Sequence, residues 1–444
     1  MDYRQALYYI YSFTDFEKSP ALLYNAANYD LRRMEALLGH LAHPEEAVPS
    51  IHVAGTKGKG STAAILASVL TAAGYRTGLY TSPHLHTLRE RIQLDGQPIA
   101  QEALAAIVER VGPAVEATHG DSTYGRLTTF EVLTAVAFLH FKEQGARFQV
   151  VEAGLGGRLD ATNVLASRVA VITSISYDHM DILGRTLSEI ASQKAGIIKA
   201  GNTVAVAPQP EEALKVIEAR CQEENATAVL VGKDVTWEPG PFDLTGQSVS
   251  VMGRLRKYGL RLSLLGRHQL ENTATAVAAL EVLQEQGVTI PGLALRQGLT
   301  SVRWPGRFEV LGQRPCVVVD GAHNEDSARR LCQTVEDYFP GQKVVLVMGT
   351  SRDKDVPAMA RELAPICRSV IVTSSRNPRA ASLAELAGVW SNVGQDAIPS
   401  PSVAAAIDHA CGLASPDGLV LVTGSLFVVA EAREHILGLA PDAT

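Results

Sequence analysis

The sequence is poor in cysteine and has no long apolar run. Its 444 residues include five cysteines, which are odd in number and form no Cys-x-x-Cys pair: Cys221, Cys316, Cys332, Cys367 and Cys411. This pattern predicts neither a disulfide framework nor a zinc ribbon, but reduced and mostly buried thiols. No apolar run reaches the ~18 residues that cross a membrane, and the start of the chain lacks the basic segment and apolar core of a signal peptide. These absences predict a soluble, cytoplasmic protein.

A basic excess is missing as well. Forty Lys and Arg residues stand against 47 Asp and Glu, which gives a formal net charge of −7. A general nucleic-acid or anionic-membrane binder carries a strongly basic surface, so neither partner is expected. Apolar residues make up 46% and charged residues 20% of the chain, as in a globular protein of two or three domains. Because nothing in the sequence indicates an exposed apolar stripe, a monomer is expected.

Strand-like and helix-like segments alternate along most of the chain, which predicts an α/β fold with a mostly parallel sheet and helices on both faces. In the first part, strands are predicted at residues 50–54, 75–81, 148–152, 169–174 and 203–207. Helices are predicted there at residues 61–73, 101–117, 128–144 and 268–285, with another starting at residue 293. Residues 235–265 contain several glycines and alternate polar with apolar side chains, which predicts a small antiparallel element.

A break in this pattern at residues 303–307 predicts a hinge between two domains. Pro305 and Gly306 interrupt regular structure there, and the strand–helix alternation then starts again. Strands of the second part are predicted at residues 316–319, 344–348, 370–373 and 419–422. The predicted domains are therefore residues 1–302 and a Rossmann-like, doubly wound domain of residues 303–444.

A glycine-rich loop between the first predicted strand and helix consists of Gly55, Thr56, Lys57, Gly58, Lys59, Gly60, Ser61 and Thr62. Glycines let the backbone turn its N–H groups toward an anion, and the helix N-terminus adds partial positive charge. Lys59 can reach the β- and γ-phosphates of a nucleotide, while Ser61 or Thr62 can face a metal ion. Gly60 separates Lys59 from Ser61, so the spacing differs from the common P-loop. A flexible turn is the alternative, but the strand and helix on either side favour a P-loop-type phosphate site.

The first part of the chain contains further acidic and basic candidates. Glu152 ends a buried strand and begins a glycine-rich loop, where a carboxylate can hold Mg²⁺, although an exposed surface turn is equally compatible. Asp178 and His179 follow the next strand, so His179 is either a metal ligand or a hydrogen-bonded structural histidine. Lys194 lies on a helix that starts near Thr186, and its spacing favours an ordinary solvated lysine.

A third group follows a strand of the second part. Asp320 ends that strand and can accept hydrogen bonds from ribose hydroxyls, and His323 can meet a nucleotide or a second substrate. The alternative is a turn that precedes a helix, because Asn324 is a suitable N-cap.

Together these segments resemble the folylpolyglutamate synthase/dihydrofolate synthase family, a branch of the Mur-type amide ligases. Besides the phosphate loop, the matching segments in chain order are 81–85, 152–163, 178–179, 194–197, His268 and Gln269 with Asn272, 305–309, 320–324 and 423–427. The resemblance covers nearly the whole chain and implies an N-terminal ATP-binding domain and a C-terminal glutamate ligase domain. One departure is visible, because the family commonly has Asn where this chain has Lys57.

The resemblance implies an ATP-dependent ligase. In the family, ATP phosphorylates a carboxylate of the pterin substrate, and the amine of L-glutamate attacks the acyl phosphate to give an amide, ADP and phosphate. The implied substrates are dihydropteroate or a reduced folate, L-glutamate and ATP, and the bifunctional bacterial enzyme is expected. A monofunctional folylpolyglutamate synthase, a muramyl peptide ligase and a P-loop binding protein without catalysis are the alternatives.

The resemblance also implies roles for residues of the first part. Lys59 and the phosphate loop would cradle the phosphates, and Ser82, Glu152 and His179 would hold one Mg²⁺. Lys194 corresponds to a lysine that family members carry as a carbamate, which would serve a second Mg²⁺. A monovalent cation is implied as well.

The remaining roles fall to residues of both parts of the chain. Asn272 would contact adenine, Arg307 the phosphates and Asp320 the ribose, while His323 and Ser425 would lie near the glutamate acceptor. Segments 84–91 and 128–131 would form the pterin pocket. The catalytic group implied by the resemblance is Lys59, His179, Lys194 and Arg307.

Overall fold

The computed structural model describes residues 1–15, 30–120 and 125–442. Its largest sheet has eight strands: β1 (Ser50–Ala54), β2 (Thr77–Tyr80), β3 (Ile92–Leu94), β4 (Gln97–Pro98), β5 (Phe148–Glu152), β6 (Val169–Ile172), β7 (Thr203–Val206) and β8 (Thr227–Leu230). They lie in the order β4-β3-β2-β5-β1-β6-β7-β8, and only β3 and β4 run antiparallel to their neighbours. The predicted mostly parallel sheet is therefore confirmed.

Helices cover both faces of this sheet. They are α1 (Tyr3–Tyr11), α2 (Leu31–His40), α3 (Lys59–Ala72), α4 (Gln101–Gly120), α5 (Thr129–Glu143), α6 (Met180–Leu183), α7 (Leu187–Ala195), α8 (Glu211–Glu223), α9 (Arg267–Glu285) and α10 (Gly292–Ser301). Adjacent side chains of β5 enter different cores: Val150 packs with α3, α9 and α10, while Val151 packs with α1, α2, α4 and α5. Burial on both faces explains why these strands are continuous apolar runs.

A buried ion pair joins α2 to the start of α5. Arg33 Nε donates to Glu131 Oε1 at 3.1 Å, and both side chains are less than a tenth exposed. Glu131 also accepts a hydrogen bond from Thr128 N, which closes the capping box of α5.

Removal of one member of this pair is expected to destabilise the protein strongly. Arg33→Met leaves the Glu131 carboxylate buried without its cation, and such a change costs about 3–5 kcal/mol of unfolding free energy. Urea unfolding measures the loss. Arg32→Met is the matched control, because Arg32 is 65% exposed beside Asp30 and should cost about 1 kcal/mol or less. Equal losses in both variants would contradict the prediction.

A small antiparallel sheet follows, as predicted for residues 235–265. Its strands are β9 (Thr236–Asp243), β10 (Gly246–Met252) and β11 (Lys257–Leu262), with β10 in the centre. The side chains of β11 alternate between exposed and buried, which is the pattern of a sheet with one covered face.

The last sheet has six strands in the order β12-β13-β17-β14-β15-β16: β12 (Glu309–Gln313), β13 (Cys316–Val319), β14 (Val344–Met348), β15 (Cys367–Val372), β16 (Ala397–Pro399) and β17 (Leu419–Thr423). Its helices are α11 (Glu325–Tyr338), α12 (Val356–Leu363), α13 (Leu383–Asn392), α14 (Val403–Leu413) and α15 (Leu426–Leu437). Helices α11–α13 cover one face and α14 and α15 the other, so the doubly wound arrangement is confirmed. The boundary between residues 302 and 303 stays a prediction.

The structure tests the predictions about the cysteines and about membrane-spanning helices. All five cysteines are free, as predicted. Only Cys221 and Cys367 are buried, so the prediction that most of the thiols are buried is wrong. Within the described ranges, no helix is long and apolar enough to cross a membrane.

Candidate active site

The phosphate loop lies at the carboxyl ends of β1 and β6. Thr56 N and Lys57 N both donate to Ser174 O at 3.0 Å, so these two amides fasten the loop to the end of β6. The first hydrogen bond of α3 runs from Thr62 N to Gly58 O. The amides from Gly58 to Ser61 therefore precede the helical ladder, and they are the ones available to an anion.

Close packing explains two glycines of the loop. A Cβ atom at Gly58 would lie 2.2 Å from Asn272 Oδ1, and one at Gly60 would lie 2.6 Å from Cζ2 of Trp304. Asn272 is itself buried and donates to Gln269 Oε1 at 2.9 Å. Gly60, the residue that distinguishes this loop from a common P-loop, thus lets the ring of Trp304 from the hinge pack against the loop.

Glu152 is buried beside the loop. It is 5% exposed, so the alternative of an exposed surface turn is wrong. Burial raises the pKa of Glu152, while the charge of Lys59 and a hydrogen bond from Ser82 N oppose this rise. Lys59 Nζ lies 3.9 Å from Glu152 Oε1, and Ser82 N donates to Oε2 at 3.3 Å. The structure therefore brings together Lys59, Ser82 and Glu152.

His179 precedes α6, and its side chain is 48% exposed. Desolvation lowers the pKa of His179 to about 4, and the charge of Lys59 acts in the same direction. The ring is therefore neutral at pH 7 and keeps a nitrogen lone pair for a metal. A buried carboxylate with a raised pKa, a hydroxyl and a neutral imidazole form a donor set that fits a divalent cation.

Lys194 is buried under the phosphate loop, so the prediction of a solvated lysine is wrong. It is 4% exposed, and its Nζ donates to Gly55 O at 2.8 Å. Burial and the nearby charge of Lys59 lower the pKa of Lys194 to about 7. A neutral amine is therefore available at this position at physiological pH.

Arg307 comes from the hinge and faces the carboxylates. A Cβ atom at Gly321 would lie 2.4 Å from Arg307 Nη1, so the missing side chain leaves room for the guanidinium. Its charge favours the ionised forms of Asp320 and Glu152 and opposes the rise in their pKa that burial causes. Arg307 thus links the second part of the chain electrostatically to Glu152 in the first.

Asp320, Asn324 and Ser425 all have structural hydrogen bonds. Asp320 is half-buried and accepts from Phe308 N at 2.8 Å and from Ala322 N at 2.9 Å. Asn324 caps α11, as the alternative interpretation of this segment predicted, and Ser425 caps α15. These contacts leave the predicted ribose and acceptor roles as predictions.

Asp178 is a central residue that sequence reasoning missed. Lys57 Nζ donates to Asp178 Oδ2 at 2.9 Å, and Asn324 Nδ2 donates to the same oxygen at 3.4 Å. His323 Nε2 lies 3.9 Å from it, and His323 Nδ1 lies 2.8 Å from Gly321 O. One carboxylate oxygen thus contacts both the phosphate loop and the loop before α11. The available signal was an acidic residue beside a candidate ligand at a strand end.

The two segments predicted for the pterin pocket lie around the same sheet edge. Arg91 Nε donates to His84 Nδ1 at 2.9 Å. A Cβ atom at Gly154 would lie 2.7 Å from Cζ of Phe130, so this aromatic ring packs on the loop that follows Glu152. The pocket itself stays a prediction.

Comparisons with known proteins agree with this architecture. The Mur ligase middle domain matches residues 53–280, and the Mur ligase glutamate ligase domain matches residues 306–426. The chain is 38% identical over 411 residues to a dihydrofolate synthase/folylpolyglutamate synthase of Bacillus subtilis, covering 91% of this chain and 94% of that protein.

Solved structures show the same likeness. Mycobacterium tuberculosis folylpolyglutamate synthase complexed with ADP and AMPPCP has a TM-score of 0.87 and 34% identity, over 93% of this chain and 96% of that chain. An FPGS–AMPPCP–folate complex has a TM-score of 0.85 and 31% identity, over 99% of this chain and 100% of that one. The chain therefore belongs to the Mur ligases, in the folylpolyglutamate synthase/dihydrofolate synthase family.

Proposed function

We propose that the protein is a bifunctional ligase that adds L-glutamate to dihydropteroate and to the glutamate tail of reduced folates. ATP is consumed through an acyl phosphate, with ADP and phosphate as products. The observation that carries this proposal is the position of Lys59 beside the buried Glu152, whose ionised form the charge of Arg307 in the second part of the chain also favours. Relatives named for both activities, and a related complex with an ATP analogue and folate, support it.

The nucleotide is held mainly by the phosphate loop. The amides from Gly58 to Ser61 and the ammonium of Lys59 face the phosphates, and Arg307 approaches from the hinge. Phosphoryl transfer needs positioning and charge neutralisation more than covalent help, and these groups supply both. Asn272 contacts adenine. Asp320 takes the ribose, because each carboxylate oxygen retains a lone pair after accepting its backbone hydrogen bond.

Metal ions belong to the same site. Ser82, Glu152 and His179 would hold one Mg²⁺, and Lys194 as a carbamate would serve a second, while a monovalent cation is a further proposal. When bound, Mg²⁺ neutralises charge on the phosphate oxygens. The buried Glu152 carboxylate supports this assignment, because its nearest cation, Lys59, is farther away than a hydrogen bond.

Lys194 is expected to take up carbon dioxide. The neutral amine attacks CO₂, forms a carbamate and releases a proton, so uptake rises with pH. With a pKa of about 7, about a tenth of the amines are neutral at pH 6 and about nine tenths at pH 8. Carbon NMR after incubation with isotopically labelled bicarbonate measures this. Lys194→Met should lose the signal and Lys199→Met should keep it; a signal that survives in Lys194→Met contradicts the prediction.

L-glutamate binds next to residues of the second part of the chain. His323 and Ser425 are the proposed contacts of L-glutamate, next to the phosphates that Arg307 approaches. Enclosure between the two parts excludes water, which would otherwise hydrolyse the acyl phosphate. We further propose that the enzyme is a cytoplasmic monomer that acts on small molecules alone.

Phosphate release tests the proposal. Purified protein is given ATP and Mg²⁺ with dihydropteroate or with tetrahydrofolate, and each reaction is run with and without L-glutamate. Glutamate-dependent release with both acceptors supports the bifunctional enzyme, and release with tetrahydrofolate alone identifies a monofunctional synthase. Silence with both, while AMPPCP still binds, overturns the proposal in favour of a muramyl acceptor or a non-catalytic protein.

A further inference from the structure

The two lysines of the phosphate loop face different partners. Lys59 Nζ lies near Glu152, whereas Lys57 Nζ is bound to Asp178 at 2.9 Å. Lys57 and Asp178 have side chains that are 15% and 12% exposed, so the pair is largely shielded from water. The backbone amide of Lys57 is also engaged, by Ser174 O. Both the ammonium and the backbone amide of Lys57 therefore have protein partners, and neither points toward a phosphate at the N-terminus of α3.

The other contacts of Asp178 lead into the second part of the chain. Asn324 Nδ2 donates to the same oxygen that Lys57 binds, and His323 Nε2 lies 3.9 Å from it. Asn324 is fixed in turn, because its side chain accepts from Ser327 N and from Ser327 Oγ. Asp178 thus connects the phosphate loop to the segment 320–324, which we call the acceptor loop.

Asp178 lies between hydrogen-bond donors of the phosphate loop and of the acceptor loop. Lys57 Nζ is the cation that contacts Asp178 Oδ2, and Asn324 Nδ2 donates to the same oxygen. A single carboxylate between several donors holds its neighbours in place, and loss of one buried partner is costly.

We propose that Lys57 and Asp178 form a positioning pair that holds the acceptor loop against the phosphate loop, so that Lys57 sets the affinity for L-glutamate rather than for ATP. This inference rests on the proposed function, since His323 is the proposed acceptor contact. It also assigns a role to the residue at which this chain departs from the asparagine common in the family. Asparagine is shorter and neutral, so it cannot replace the ion pair.

Kinetics of matched variants test the pair. Lys57→Met is expected to raise the KM for L-glutamate about tenfold or more, because a loosened loop loses its near-attack geometry. The Kd for AMPPCP should stay within about twofold, whereas Lys59→Met should weaken AMPPCP binding strongly. Lys57→Arg keeps the cation and should restore the KM to within about threefold of the wild type.

Coupling and folding are checked in the same set. The double variant Lys57→Met/Asp178→Asn should raise the KM no more than Asp178→Asn alone, because both changes break one contact. Additive effects overturn the inference. So does a Lys57→Met protein that weakens AMPPCP binding as much as Lys59→Met does and leaves the KM for glutamate unchanged. Thermal melting confirms that each variant is folded.

Hydrogen exchange separates this inference from the proposed function. In Lys57→Met, amides of the acceptor loop and the first turn of α11 should exchange about tenfold faster, while those of α3 remain unchanged. This readout needs no turnover. A wild-type protein without glutamate-dependent phosphate release overturns the proposed function alone, and unchanged exchange in Lys57→Met overturns the positioning pair alone.

Discussion

Replacing Arg307 by alanine is expected to lower kcat/KM for glutamate-dependent phosphate release about a thousandfold, which is the usual cost of removing one preorganised donor from developing charge. Among the residues that the structure describes, the guanidinium makes one weak hydrogen bond, from Nη1 to Gly306 O at 3.3 Å, so the fold does not depend on it. Its field instead reaches Glu152 and Asp320, which lie in different parts of the chain. The melting temperature should therefore stay within a few degrees of the wild type.

Matched variants decide whether this effect is specific to Arg307. Arg303→Ala removes an exposed arginine four residues earlier in the same hinge and should keep wild-type activity. Arg307→Lys keeps the charge but not the planar fork, so it should recover only part of the loss. Activity in Arg307→Ala within tenfold of the wild type would contradict the assignment of Arg307 to the transferred phosphoryl group.

Much of the fold could be predicted because parallel strands buried on both faces are short apolar runs between helical patterns. Strands β5, β13 and β14 begin and end at the predicted residues. Several of the elements that were not predicted carry little signal. Strands β3 and β4 have three and two residues, and β12 is a half-buried edge strand without a clear alternation of apolar side chains.

The candidate site could be predicted only where residues follow strands. Glu152 and the phosphate loop lie at the ends of β5 and β1, and parallel topology brings such ends to one edge of the sheet. The burial of Lys194 depends instead on how α7 packs beneath Gly55, 139 residues away, which periodicity within a helix does not reveal. Asp178 was missed for the same reason, because its partners Lys57 and Asn324 are distant in sequence.

The residue with the second large expected effect is Glu152. Glu152→Gln preserves the size of the side chain and an oxygen that accepts from Ser82 N, but it removes the buried negative charge beside Lys59. Loss of the charge proposed to hold Mg²⁺ beside the phosphates should lower glutamate-dependent phosphate release about a thousandfold.

The melting temperature of Glu152→Gln should not fall together with its activity. Burial raises the pKa of Glu152, which means that the folded protein holds this carboxylate at a cost, so the neutral amide should melt at the same or a higher temperature without Mg²⁺. Glu143→Gln, on the outer part of α5 beside Arg110, is the control and should change neither quantity. Glu152→Asp keeps the charge one methylene farther away, so its activity should recover partly as Mg²⁺ is raised. A Glu152→Gln protein that retains activity but melts several degrees lower would mean that Glu152 serves the fold rather than the metal.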